Sequence, residues 1–172
     1  HATGDLRLHD EEHPLPDRDE YLLRVTAVGL CGSDVHWYEE ASIGDAQLSQ
    51  PLVLGHEFAG IINSGDQKGK KVAADPAIAC RRCRYCEEGN PNLCDNLRFA
   101  GHDIVDGALR EMLCWPRSLV HPLPDVFSAI EGAMLEPLGV ALHALDLGHI
   151  LPGMSVGVFG CGPIGLLLVQ LA

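Results

Sequence analysis

The chain has 172 residues, 47% of them hydrophobic, and a formal charge of −12 at pH 7. That length supports one buried core and part of a second, and the acidic balance argues against nucleic acid or an anionic membrane surface as a main partner. His1-Ala2-Thr3-Gly4-Asp5 lacks an apolar leader and Ile164–Ala172 is too short an apolar run to span a bilayer, so a cytoplasmic protein is expected.

In chain order, Tyr21–Val28 is rich in Leu, Val and Thr and stops at Gly29, which predicts a strand. Val53–Ile62 reads as two short extended pieces around Gly55-His56-Glu57, and Lys71–Ala74 as another strand. A cysteine-bearing excursion, Cys80–Cys94, follows, and then a strand over Ala108–Trp115 closed by Pro116. The period changes at Ser128–Leu147, where apolar residues recur at helical spacing behind a Ser128 N-cap and a capping-box Glu131. Pro137 predicts a break that holds Glu136 at a junction of two helices. After a linker at Gly148–Gly153 come an apolar strand, Ser155–Phe159, the turn Gly160-Cys-Gly-Pro-Ile-Gly165, and a helical Leu166–Ala172. Strand, glycine turn and helix occur in the order of a dinucleotide site.

Four of the seven cysteines, Cys80, Cys83, Cys86 and Cys94, are spaced C-x2-C-x2-C-x7-C in a polar stretch with no use for them in a core. That spacing predicts a closed tetrathiolate zinc site, which has no open position and is therefore structural. Arg81, Arg82 and Arg84 either offset its negative charge or form a solvated face.

Cys31, Ser33, Asp34 and His36 lie within six residues after the first strand; His56 and Glu57 add an imidazole and a carboxylate, and Glu136 another carboxylate. Singly, these are a small buried thiol, a satisfied histidine and solvated charges. Jointly, Cys, His and a carboxylate are a workable set for a catalytic zinc that keeps its fourth position open. Trp37 and Tyr38 read either as pocket lining or as packing. Cys114 reads as a core residue, and Cys161 has no assigned role.

The stretches GLCGSDVHWY (29–38), PLVLGHEFAG (51–60), the cysteine lobe with GNPNLC (89–94), MLEPLGVALHA (134–144) and VGVFGCGPIGLLLVQLA (156–172) resemble the zinc-dependent medium-chain dehydrogenases, in particular the sorbitol and threonine dehydrogenase branch. The resemblance implies a mainly β fold with helices: a GroES-like β-barrel-type catalytic domain over residues 1–148, then the first βα unit of a Rossmann α/β domain over residues 149–172. It implies two zinc ions per chain, one catalytic and one structural, with NAD or NADP as cofactor. The catalytic zinc is expected on Cys31 and His56 with Glu57 or Glu136, whose use differs among relatives; Glu136 stands where the alcohol dehydrogenase branch has a cysteine. Asp34 is expected behind His56, fixing its tautomer by accepting the other ring N–H. Ser33, His36 and Glu57 are the candidate catalytic residues, Ser33 bonding the substrate oxygen and His36 passing its proton to solvent. Gly160, Gly162, Ile164 and Gly165 are expected to hold the dinucleotide at a helix N-terminus.

The expected reaction is hydride transfer from a secondary alcohol or polyol to NAD(P), by an enzyme that is a homo-oligomer at full length. One βα unit cannot make a doubly wound sheet, so the chain is expected to be a fragment, inactive alone. The connection Ile61–Val72 is short for the family, which suggests a compact subgroup. The alternatives are a catalytically silent zinc-stabilised module for assembly or ligand binding, and a zinc-free quinone reductase relative, which needs neither metal set.

Overall fold

The computed structural model describes residues 1–172. In chain order the elements are β1 (Glu20–Gly29), α1 (Gly32–Glu40), β2 (Ser42–Ile43), β3 (Ala46–Gln47), β4 (Glu57–Ile62), β5 (Lys71–Ala74), β6 (Ala77–Ile78), α2 (Arg84–Glu87), β7 (Arg98–Phe99), β8 (Met112–Pro116), β9 (Val120–Pro122), α3 (Ala129–Ala133), α4 (Leu135–Leu147) and α5 (Pro163–Leu171). Five strands form an antiparallel sheet in the order β8-β1-β4-β5-β9, with β8 and β9 at its edges; the pairs β2-β3 and β6-β7 are separate ribbons. The class is mainly β with helices, as expected.

Strand β1 sets the frame. Tyr21, Leu23 and Val25 alternate onto the core, but the next core contact is Val28. The phase changes because the pairing with β4 shifts register between Val25 and Ala27, the signature of a β-bulge. The shift puts Gly29 opposite Glu57. Leu23, Phe58, Ile62 and Val72 are fully buried, each contributing roughly 1.5–3 kcal/mol by burial. Trp115 meets Phe58 edge-on at 5.7 Å and donates its indole N–H to the Asp75 carbonyl at 2.8 Å, so its polar end is satisfied.

Five expectations need correction. Only the second half of Val53–Ile62 is a ladder strand. Val53, Leu54 and Gly55 instead accept backbone N–H groups from Gly107, Leu109 and Ala108 at 2.6, 2.9 and 2.8 Å. Those donors are thereby committed, which delays β8 to Met112 instead of Ala108.

The helix break falls at Met134, the C-cap of α3, and not at Pro137. Pro137 is the third residue of α4, where the missing N–H is one the helix could not have used. Glu136 accordingly sits inside the first turn of α4. The Ser128–Glu131 capping box forms as expected.

Ser155–Phe159 joins no ladder, and Phe159 is fully exposed, because no strand of the chain lies beside this segment to pair with it. The last helix starts at Pro163 rather than Leu166, since proline at a first helical position is already set for the turn. No helix is long and apolar enough to cross a membrane.

Candidate metal centres

The first centre is assembled where β1 ends. Cys31 is the N-cap of α1 and its backbone N–H donates to Asp34 Oδ2 at 2.9 Å. The other oxygen, Oδ1, accepts the backbone N–H of Gly55 at 3.0 Å. One buried carboxylate thus fastens the Cys31 turn to the segment that carries His56. Its approach to the His56 ring, Nδ1 to Oδ1, is 3.8 Å, longer than a hydrogen bond.

Glycines make the space. Gly55 has φ +92°, and Gly101 and Gly107 lie so close to its backbone that a Cβ on either would collide with it. A Cβ on Gly29 would strike the Glu57 carboxylate, so glycine there lets that side chain fold back over the end of β1.

The result is that donor atoms of Cys31, His56 and Glu57 lie within 4.8 Å of one another. His56 is buried, with the Phe99 ring tilted against it at 5.2 Å; burial pushes its pKa down, against the pull of Asp34 and with a smaller push from His102. A histidine held neutral offers a lone pair to a cation. Burial pushes Glu57 up, the Asp34 charge adds to this, and a hydrogen bond with the Cys31 thiol opposes it.

Glu136 is outside that three-residue set. Burial pushes its carboxyl up to about 7, with Glu57, Asp75 and Asp34 adding to the rise. A half-buried carboxyl that feels other acidic groups without a compensating charge favours protonation, and a cation reverses that. The donor set, one thiol, one imidazole and a choice of carboxylates, fits zinc with a position left open.

Ser33 and His36 both lie on α1, the first one turn before the second. No hydrogen bond joins them; His36 Nδ1 pairs with Glu40 Oε1 at 3.2 Å and is solvent-facing. Trp37 is core, edge-on to His102 at 5.3 Å, whereas Tyr38 is exposed. Phe99 and His102 are the neighbours that sequence reasoning missed; both stand in the stretch that follows the cysteine lobe, and neither carries a ligand spacing that could have flagged it.

The second centre is the lobe. Cys80, Cys83, Cys86 and Cys94 have sulfurs within 4.8 Å of one another, and none forms a disulfide. Cys83 Sγ is 3.5 Å from Cys86 Sγ and 3.9 Å from Cys94 Sγ. A tetrahedron with metal–sulfur bonds of about 2.3 Å has edges of about 3.8 Å, so the cluster is the right size for zinc. Backbone N–H groups of Cys80 and Asn96 point at Cys94 Sγ at 3.2 and 3.4 Å. The Arg82 backbone holds the Cys80 thiol down to about 6, while desolvation pushes Cys86 up to about 12. Four thiols this close cannot all ionise alone; a divalent ion makes that possible.

At the other end of the chain, Gly160 has φ +118°, Gly162 caps α5, and a Cβ on Gly165 would collide with the Gly160 carbonyl. The turn therefore depends on glycine at its first and last positions, Gly160 and Gly165.

Comparison with known proteins agrees with this geometry. Residues 17–125 match the family model of the alcohol dehydrogenase GroES-like domain. The chain is 40% identical over 171 residues to D-xylulose reductase A of Aspergillus oryzae, covering 94% of this chain and 48% of that protein. It is 39% identical over 180 residues to sorbitol dehydrogenase of Bacillus subtilis, covering all of this chain and 50% of the relative. A crystal structure of a short chain alcohol dehydrogenase from Escherichia coli CFT073, complexed with NADH, superposes with a TM-score of 0.90 at 31% identity, covering 98% of this chain and 50% of the other. The chain spans about half the length of the curated relatives it matches. It belongs to the alcohol dehydrogenase GroES-like domain family, among the zinc-dependent medium-chain dehydrogenases.

Proposed function

We propose that the chain is the zinc-holding half of an NAD(P)-dependent dehydrogenase that oxidises secondary alcohols or polyols. The observation that carries this is the convergence of Cys31, His56 and Glu57, residues far apart in the chain, at one half-buried point. The polyol class is supported by the relatives, a xylulose reductase and a sorbitol dehydrogenase.

Cys31, His56 and a carboxylate from Glu57 or Glu136 would hold one zinc; Cys80, Cys83, Cys86 and Cys94 would hold the other. The first ion would supply Lewis acidity that makes a bound hydroxyl easier to deprotonate, and a nicotinamide would accept the hydride. Ser33, two residues past Cys31, takes the hydroxyl proton. His36, one turn further and open to solvent, passes it on. Phe99 covers the His56 ring and limits water there. Residues 149–172 would begin the Rossmann domain, with Gly160, Gly162, Ile164 and Gly165 letting the dinucleotide pyrophosphate approach the N-terminus of α5.

Metal analysis tests the reading. Zinc-loaded wild type should hold two ions per chain and Cys31→Ala one, with the fold intact. Stoichiometry unchanged by Cys31→Ala contradicts the catalytic assignment, and one ion in wild type favours a silent zinc-stabilised module. The reaction itself is tested on the longer protein by following nicotinamide absorbance with xylitol, sorbitol, threonine and simple alcohols.

A further inference from the structure

We propose that Glu40 is a positioning residue of the proton path: by accepting the Nδ1–H of His36 it holds that imidazole in the tautomer whose Nε2 is free to receive a proton. The proposal rests on the reading that Ser33 and His36 carry the substrate proton.

Ser33, His36 and Glu40 are spaced i, i+3 and i+7 along α1, so they form one row on the helix surface. The row starts beside the Cys31 ligand and ends in solvent, where His36 and Glu40 are each more than half exposed. His36 Nδ1 lies 3.2 Å from Glu40 Oε1. An ionised carboxylate offers only acceptors, so the hydrogen of this bond belongs to Nδ1 and the lone pair of the neutral ring to Nε2.

Helix stability does not account for Glu40. The last turn of α1 contains Glu39 and Glu40 and no basic residue, so it opposes the negative end of the helix dipole. An acid placed C-terminal to its cationic partner is also the weaker orientation of an i, i+4 pair. What the placement does provide is control of the ring. As Ser33 Oγ takes the alcohol proton, its own proton passes through a bridging water or hydroxyl to His36 Nε2. The imidazolium keeps its Nδ1–H on Glu40 and becomes neutral by giving one proton to bulk water. No electrons move in these steps, and the ring is restored for the next turnover. The same logic, a carboxylate fixing a histidine by its far nitrogen, orients general bases elsewhere.

The test is long-range 15N–1H correlation spectroscopy on the zinc-loaded, 15N-labelled chain, at a pH where the ring is neutral. His36 is assigned by loss of its signals in His36→Gln. Wild type should show the Nδ1–H pattern, Glu40→Ala a switch to Nε2–H, and Glu40→Gln, whose amide oxygen can still accept, retention of Nδ1–H. An Nε2–H ring in wild type, or a tautomer unmoved by Glu40→Ala, overturns the proposal. Amide spectra of the variants should superpose on wild type away from α1, since both side chains are exposed. Zinc content of the same samples tests the metal reading separately: a single ion per chain contradicts that reading and leaves the tautomer result standing on its own.

Discussion

Asp34 accepts the backbone N–H of Gly55 at 3.0 Å, across 21 residues of chain, with an oxygen it does not share with Cys31. This bond brings the thiol and the imidazole to one place, because His56 follows Gly55 directly. Asp34→Asn keeps the shape but replaces one acceptor with a donor aimed at a backbone N–H. Buried hydrogen bonds to a charged acceptor are worth about 1.5–3 kcal/mol each. Urea unfolding should therefore show a loss of roughly 2 kcal/mol, with zinc affinity reduced at the Cys31 centre and unchanged at the lobe.

Gly29 faces Glu57 across the ladder and has no side chain to displace it. Gly29→Ala places a methyl group in the space of the carboxylate. Zinc titration should show the first centre weakened by about ten-fold or more, in the range expected when a group supporting a ligand is lost, with circular dichroism near that of wild type.

Burial pushes both Glu57 and Glu136 up, with the Asp34 charge adding at Glu57 and the Glu57 charge adding at Glu136. Glu57→Gln and Glu136→Gln should each weaken zinc at this centre by about 10- to 100-fold. The double variant should hold zinc only at the lobe, as read by metal analysis after gel filtration.

On the proposed reading the lobe behaves differently, since a structural zinc there contributes folding free energy. Cys83→Ala should release one zinc and lower the midpoint of thermal unfolding, whereas Cys31→Ala should release the other with little change. A strong chelator should reproduce the Cys83→Ala effect in wild type.

The capping box at the start of α3 sets an acid limit. Ser128, chiefly through its hydroxyl and then its backbone N–H, holds Glu131 below the ordinary glutamate range. A depressed folded-state value means that the stabilisation is complete above the unfolded-state value and disappears as pH falls through the folded one. Acid unfolding of wild type should show this loss below about pH 4.5. Ser128→Ala should be less stable at neutral pH, and that difference should shrink as pH falls.

The four-cysteine cluster and the strands β1, β4 and β5 were legible because each is written locally: C-x2-C pairs, the Leu, Val and Thr of Tyr21–Val28, and likewise serine and glutamate three apart at Ser128. Contacts made by backbone were not. Val53–Gly55 reads as a strand, yet its carbonyls are taken by Gly107–Leu109, and no side-chain pattern encodes that choice. Asp34 was placed beside His56 correctly, but its oxygens belong to backbone donors. Phe99 and His102 escaped notice because they reach the site through packing. Pro137 misled because its effect depends on position within the helix: at the third residue of α4 it disturbs nothing.

The most direct measurement is an anomalous difference map at the zinc edge from crystals grown with zinc. The account predicts two peaks per chain, one within bonding distance of the sulfur of Cys31 and the ring of His56 and one enclosed by the four lobe cysteines. A single peak, in the lobe alone with the Cys31 centre fully ordered, would contradict it.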